Sequence, residues 1–244
     1  MIRLIEELSL SALPALETAF LDGWVLRLSD NFTRRANSVN PLYAGTRPLA
    51  DNLRDVEDIY RRKGQRVVFK LTPASLPEGL DQVLAEQSYA REAVTAVMTL
   101  DLLGKAVPAR SQTVLLEHLA SEWLTEVFKL NAVPERHQPT MQQILQRLAP
   151  RACYAALPVE GEVVSVGLGV MEAGWLGLYD IVTAEARRGK GYGRRLINDL
   201  LGWAMLQGAT SAYLQVLKTN DTAIRLYADL GFEERYEYWY RVKG

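Results

Sequence analysis

Between the apolar run Leu178-Tyr179-Asp180-Ile181-Val182-Thr183 and a long amphipathic segment beginning at Arg194, the chain reads Arg187-Arg188-Gly189-Lys190-Gly191-Tyr192-Gly193. Three glycines alternate with larger residues where a strand gives way to a helix. Without Cβ atoms, the loop's backbone N–H groups can converge just where the helix leaves its own first donors unpaired. Such a loop is an anion cradle. The helix dipole, two arginines and one lysine favour dense negative charge, and pyrophosphate is its natural occupant. The P-loop pattern G-x-x-x-x-G-K-[ST] is absent, and the dinucleotide pattern G-x-G-x-x-G fails because Gly193 is followed by Arg194, Arg195 and Leu196. Taken alone, the loop is also compatible with a plain turn joining strand to helix.

Downstream, a helical segment ending at Gly208 leads into a strand-like run, Ser211 to Leu217, and then into Asn220-Asp221-Thr222-Ala223-Ile224-Arg225-Leu226-Tyr227-Ala228-Asp229-Leu230-Gly231-Phe232. The first motif, R-x-x-G-x-G over Arg188, Gly191 and Gly193, resembles the acyl-CoA signature of the GCN5-related N-acetyltransferase (GNAT) superfamily. The second, N-x-x-A-x-x-L-Y-x-x-x-G-F, is similar to that superfamily's second cofactor-binding segment. The resemblance implies acetyl-CoA as cosubstrate, held by Arg188, Gly189, Lys190, Gly191, Tyr192, Gly193 and Arg194 and by the backbone of Ile181, Val182 and Thr183 on a strand that splays from its neighbour. It also implies that Asn220 contacts the cosubstrate and that Tyr227 lies beside the thioester sulfur as general acid. From the residues alone, Asn220 could equally cap a helix and Tyr227 could be a core aromatic. A phenol with an ordinary pKa of ~10 can hand a proton to a departing thiolate at neutral pH. For the base that takes the amine's proton, the candidates are the carboxylates Asp180 and Glu172 and the phenol Tyr179. Asp180 also reads as a solvated carboxylate, and Glu172, beside Ala173-Gly174, as part of a hairpin turn.

The rest of the chain bounds the answer. With 244 residues, 48% of them hydrophobic, it can bury a sizeable core as one large or two modest domains. A net charge of −1 argues against a broad surface for nucleic acid or an anionic membrane and favours a small molecule or another protein as partner; the resemblance makes that partner a small-molecule or peptide amine. One cysteine, Cys153, excludes an internal disulfide framework and reads as a small buried hydrophobe. No secretory h-region or apolar run of about 18 residues is present, which reads as a cytoplasmic protein, and no metal is expected.

The N-terminal half carries the same rhythm without the chemistry. Helical spacing from Leu4 to Ala19, broken by Pro14, precedes the alternating run Trp24 to Leu28 and a polar extended stretch, Thr33 to Asn40. Leu49, Leu53, Val56 and Tyr60 recur at helical spacing, Val67, Phe69 and Leu71 form a strand face, Leu80, Val83 and Leu84 mark a helix, and Glu92 to Leu102 alternates again. Phe232 lies 143 residues after Tyr89 (232 − 89), and that shift lays Thr46 and Pro48 on Gly189 and Gly191, Pro77 on Asn220 and Leu84 on Tyr227.

The expected fold is therefore α/β (α+β): a tandem GNAT-like acyl-CoA N-acyltransferase fold with a mixed central sheet flanked by helices, in two related units. A degenerate unit spans 1–106 and an acetyl-CoA-binding unit 107–244, the latter opening with a long helix over Val114 to Phe128 and a second helix after Pro139. The function expected is acetyl transfer from acetyl-CoA to a primary amine; a non-catalytic acyl-CoA sensor is the alternative, since fold does not fix chemistry. The aromatic end, Tyr236, Tyr238, Trp239 and Tyr240, reads as the two faces of a terminal strand, with an aromatic acceptor pocket as the alternative, and is compatible with a homodimer or with packing on the chain's own first half. The stretch with Arg34, Arg35, Asn37 and Asn40 is read either as a binder of an anionic acceptor or as a contact between the units.

Overall fold

Apolar periodicity makes the first elements. Helix α1 (Ile2–Ala12) ends before Pro14, and strands β1 (Glu17–Leu21), β2 (Trp24–Leu28) and β3 (Val39–Pro41) follow. Helix α2 (Leu49–Arg62) buries Leu53, Val56 and Tyr60 at the expected spacing; β4 (Val68–Leu71), α3 (Leu80–Glu86) and β5 (Ala90–Asp101) complete the first half. The second half runs β6 (Val114–Leu116), α4 (Ser121–Leu130), α5 (Gln138–Gln146), β7 (Arg151–Val159), β8 (Glu162–Glu172), β9 (Trp175–Thr183), α6 (Tyr192–Leu206), β10 (Ser211–Leu217), α7 (Asp221–Asp229) and β11 (Glu233–Val242). This computed structural model describes residues 1–109 and 111–243.

The shift of 143 residues reappears in the elements. Helices α2 and α6 start at 49 and 192, strands β4 and β10 at 68 and 211, and strands β5 and β11 at 90 and 233. Two related units result, each with a mixed sheet and flanking helices. Unit 1 holds 1–96, 217–219 and the chain from Tyr236 onward; unit 2 holds 97–216 and 220–235. These bounds differ from 1–106 and 107–244 for a physical reason. The last strand joins the first unit's sheet, pairing antiparallel with β4 through Trp239↔Leu71 and Val242↔Val68, while β5 passes into unit 2 after Ala96. Backbone pairing decides membership there, whatever the sequence order.

In unit 1 the strand order is β1-β2-β3-β4-β11-β5, with β3 parallel to β4. One sheet face sets Trp24, Leu26, Phe69 and Leu71 against Leu53, Val56 and Tyr60 of α2 and Leu80 and Leu84 of α3. Trp24 and Phe69 meet edge to face at 5.5 Å, a geometry aromatic pairs favour. Among the residues that alternate with these, Lys70 is charged yet buried: it pairs with Glu6 of α1 at 2.5 Å, and Tyr236 donates to the same carboxylate at 2.8 Å. The polar stretch before β3 is a run of turns, not an extended strand. Asn37 accepts the backbone N–H groups of Ser29 and Asn31 at 2.7 and 3.2 Å, Asn40 donates to Ser38, and Arg34 pairs with Glu92, so these side chains serve unit 1 itself.

In unit 2 the order is β5-β10-β9-β8-β7-β6, with β9 and β10 parallel. Val114 to Leu116 pairs with β7 as a short edge strand, so the helix expected over Val114 to Phe128 begins only at Ser121. Val114 and Leu115 find cross-strand partners in Ala156 and Ala155, which outweighs their fit to helical spacing. No helix among the described residues is long and apolar enough to cross a membrane.

Candidate active site

Strand β8 carries Gly167 and Gly169 on the face that receives α6. A Cβ at Gly167 would lie 2.5 Å from Ile181 Cδ1 and 2.9 Å from Leu196 Cδ2, so the glycine makes room for these two side-chain ends from β9 and α6. At Gly167 the antiparallel ladder slips: Val166 faces Val182, Leu168 faces Tyr179, and Asp180 stands in the bulge with φ 48°. A bulge bends its strand and raises the local twist. The consequence lies on the other edge of β9. Its parallel pairing with β10 runs from Trp175↔Ser211 to Leu178↔Leu214 and stops, although β9 continues to Thr183 and β10 to Leu217.

The opened edge has a definite chemistry. Ala184 donates to Val164 O at 2.9 Å and Val182 faces Val166, so the antiparallel alternation turns Val182's backbone toward β8 and Thr183's away from it, into the gap. Ser165, fully buried, donates its hydroxyl to Val182 O at 2.8 Å and sits 3.0 Å from Thr183 Oγ1, fixing the strand end. Arg188 reaches back to Thr183 O with Nε at 3.3 Å.

The glycine loop then delivers α6. Gly189 and Gly191 take φ 75° and 78°, and a Cβ on either would meet nothing within 4 Å, so the space over them is open. Gly191 is the N-cap of α6 and no side chain caps the helix, which leaves its first N–H groups for an anion. At Gly193 a Cβ would stand 3.4 Å from Thr183 Oγ1 and 3.7 Å from Leu226 Cδ2. Strand end, loop and α7 thus converge at that residue. Arg188, Gly189, Lys190 and Gly191 are exposed, Tyr192 and Gly193 half-buried. Arg194 is paired to Asp229 of α7 at 2.9 Å, and Arg187 to Glu160 and Glu162 at 3.3 and 3.6 Å.

Two residues of α7 complete the group. Asn220 caps the helix, its Oδ1 accepting the Ala223 N–H at 3.1 Å, so the capping role open to it from sequence is realised. Tyr227 is buried against Phe232, ring centroids 6.0 Å apart, and burial pushes its hydroxyl up to about 12. Glu172 falls elsewhere. It faces Trp175 beside the Ala173-Gly174 turn of the β8–β9 hairpin, and Trp175 stands eight residues along β9 from Thr183, about 26 Å at ~3.3 Å each. Asp180, Ile181, Val182, Thr183 and the loop from 188 to 194 are brought together; Glu172 is not. Ser165 escapes sequence reasoning, although a lone hydroxyl in the apolar run from Val163 to Val170 is a signal that could find it. The open space over Gly189 and Gly191, the helix start without a side-chain cap and the exposed strand edge fit a CoA-type ligand. No cluster of three metal-ligating side chains occurs among the described residues.

Comparison with known proteins agrees with this geometry. A solved GCN5-related N-acetyltransferase from Kribbella flavida superposes with a TM-score of 0.75 at 16% identity, covering 99% of this chain and 95% of that one. A tandem GNAT protein from the clavulanic acid biosynthesis pathway gives 0.66 at 15% identity, covering 98% and 88%. In sequence, an uncharacterized N-acetyltransferase of Bacillus subtilis, YobR, is 33% identical over 99% of this chain and 98% of its own length. A family model described as "Probable histone acetyltransferase Rv0428c C-terminal" matches residues 1–241. The chain therefore belongs to the Rv0428c C-terminal acetyltransferase family, is an acetyltransferase, and has the fold of the solved GNAT proteins.

Proposed function

We propose that unit 2 transfers an acetyl group from acetyl-CoA to a primary amine by direct transfer in a ternary complex, as a cytoplasmic reaction. The observation that carries this reading is the stop of β9–β10 pairing at Leu178 and Leu214 beside an uncapped, glycine-lined helix start. Arg188, Lys190 and the N–H groups from Gly189 to Gly193 would take the pyrophosphate, and Thr183's outward backbone would pair with the pantetheine arm. Acetyl-CoA supplies an activated thioester, whose C–S bond breaks as the amine's N–C bond forms. Holding amine and thioester in register is the larger part of the catalysis, with proton transfers assisting.

Tyr227, a phenol protonated at neutral pH and pushed up to about 12 by burial, donates to the departing sulfur, and the proton shed by the amine restores the phenol. Asp180, in the bulge beside the opened edge, takes the first proton of the ammonium through water; Glu172, at the far hairpin, is set aside as base. The family description names a histone acetyltransferase, so lysine ε-amines head the acceptors to be screened, with polyamines and amino acids after them.

The test is calorimetric titration of acetyl-CoA into wild type and an Arg188→Ala/Gly191→Pro variant, followed by thiol-release assays with those amines. One site per chain, lost in the variant, together with amine-dependent thiol release supports the reading. No binding to wild type, or binding unchanged in a folded variant, overturns the assignment of the loop; binding without release for any amine favours a sensor.

A further inference from the structure

Helix α2 starts at Leu49 as α6 starts at Tyr192, and its N-cap residue, Pro48, offers no side-chain cap. Its loop is nevertheless filled. Asp22, on the two-residue turn of the β1–β2 hairpin, points its carboxylate at the loop. Oδ1 accepts the Thr46 N–H at 2.8 Å and its hydroxyl at 3.2 Å; Oδ2 accepts the Arg47 N–H at 3.0 Å and the Asn52 amide at 2.8 Å. These donors, Asn52 foremost, hold the carboxyl at about 2. The glycines here make room for the chain itself. A Cβ on Gly45 would lie 2.2 Å from Asp22 Oδ2, and one on Gly23 would lie 2.5 Å from Tyr43 O, whereas Gly189 and Gly191 face open space.

Unit 2 has the corresponding hairpin and uses it otherwise. Its β7–β8 turn, Glu160-Gly161, has φ values of 53° and 84° against 43° and 86° for Asp22-Gly23, the same left-handed pair. Glu160, one methylene longer, turns to Arg187 at 3.3 Å and leaves the loop from 188 to 193 alone.

We propose that Asp22 is an internal anion closing the loop of unit 1, in the place pyrophosphate takes in unit 2, so that the chain binds a single acyl-CoA. The count of one rests on the reading of unit 2 given above; the closure of unit 1 does not. Backbone amide spectra of wild type, Asp22→Gly and Asp22→Asn, titrated with CoA and with inorganic pyrophosphate, test it. Glycine accepts the positive φ at position 22, so the first variant removes the carboxylate without straining the turn.

In wild type, amides from Gly189 to Gly193 are expected to shift with one equivalent of CoA while those of Thr46 and Arg47 stay still. In Asp22→Gly, the Thr46 and Arg47 amides are expected to move and then to respond to pyrophosphate. Response of Thr46 and Arg47 to either ligand in wild type overturns the closure, as does their silence toward pyrophosphate in a folded Asp22→Gly. Should that variant not fold, Asp22→Asn, which keeps the size and loses the charge, decides by the same two outcomes. Silence at Gly189 to Gly193 would instead sink the reading of unit 2, while the closure of unit 1 by Asp22 would still stand or fall on Thr46 and Arg47.

Discussion

Two helix starts, Leu49 and Tyr192, occupy the same place in the repeat and meet opposite fates. At Tyr192 the preceding glycines are open to solvent and the carboxylate of the corresponding turn, Glu160, pairs with Arg187. At Leu49 the loop closes over Asp22, which takes two backbone N–H groups, a hydroxyl and an amide. The electrostatic demand of a helix N-terminus is alike in both, since it comes from the backbone. What differs is who meets it. A fold can lose a ligand site without losing the anion by building the anion into its own turn.

The difference extends to the neighbouring helices, and there the largest effect is expected. Tyr227 stands 143 residues after Leu84, and both are buried, at 8% and 0% exposure. If Tyr227 is the proton donor, Tyr227→Phe should lower kcat by about 10²–10⁴ and leave CoA affinity within about threefold. Leu84→Val should cost about 1 kcal/mol of stability and leave both parameters alone. Because burial raises the Tyr227 pKa to about 12, the phenol stays protonated as pH rises, and no loss of rate traceable to it is expected below about pH 11. A kcat unchanged in Tyr227→Phe would remove the catalytic distinction between the two helices.

Charge reversal probes the loops directly. Arg188→Glu should weaken CoA binding by about 100-fold or more, since charge-assisted bonds of about 1.5–3 kcal/mol turn into repulsion. Arg47→Glu, which breaks the pair with Asp55 in unit 1, should leave CoA affinity within about twofold. Calorimetry at one fixed salt concentration reads both, and equal losses in the two variants would mean that unit 1 also takes the ligand.

How much of this is legible in the sequence follows from the range of the interactions involved. Gly189, Gly191, Asn220 and Tyr227 lie within one loop or one helix, so their motif spacing, and with it the family resemblance, is visible in the sequence, while the openness of the loop is not. The 143-residue shift is readable because helix and strand lengths are local properties, and it holds for α2, β4 and β5 to the residue. Asp22 is not readable. An Asp-Gly pair announces a tight turn, but nothing in the sequence says that its carboxylate will meet a loop 24 residues later. The pairing of the last strand with β4 escapes for the same reason, as does the bulge at Asp180, which is a slip in register between two strands that each look regular.

A moderate effect is expected at Ser165, whose hydroxyl holds the end of β9 in unit 2. Ser165→Ala leaves its cavity nearly filled and removes the bonds to Val182 and Thr183, which should cost about 1–1.5 kcal/mol in stability and raise the Kd for CoA by up to about tenfold. Denaturant unfolding and calorimetry check the two numbers separately. A stability loss with unchanged affinity would make Ser165 a core residue without influence on the opened edge.

The smallest expected effect tests the closed loop through pH. The Asp22 carboxyl falls from 3.8 to about 2 on folding, so the folded state favours its ionised form. The sign follows: this stabilisation is fully present above about pH 4, fades as pH falls toward 2, and is absent in Asp22→Asn. Urea midpoints of the two proteins should therefore differ at neutral pH, with wild type the more stable, and converge as the solution is acidified through that window. Glu160→Gln in unit 2 should change stability by no more than about 0.5 kcal/mol, because its pairing with Arg187 is made at an exposed position. If wild type and Asp22→Asn keep a constant gap down to pH 2, the four donors around Asp22 are not responding to its charge. The closed loop would then be a matter of shape alone, and the contrast with the open one would no longer be electrostatic.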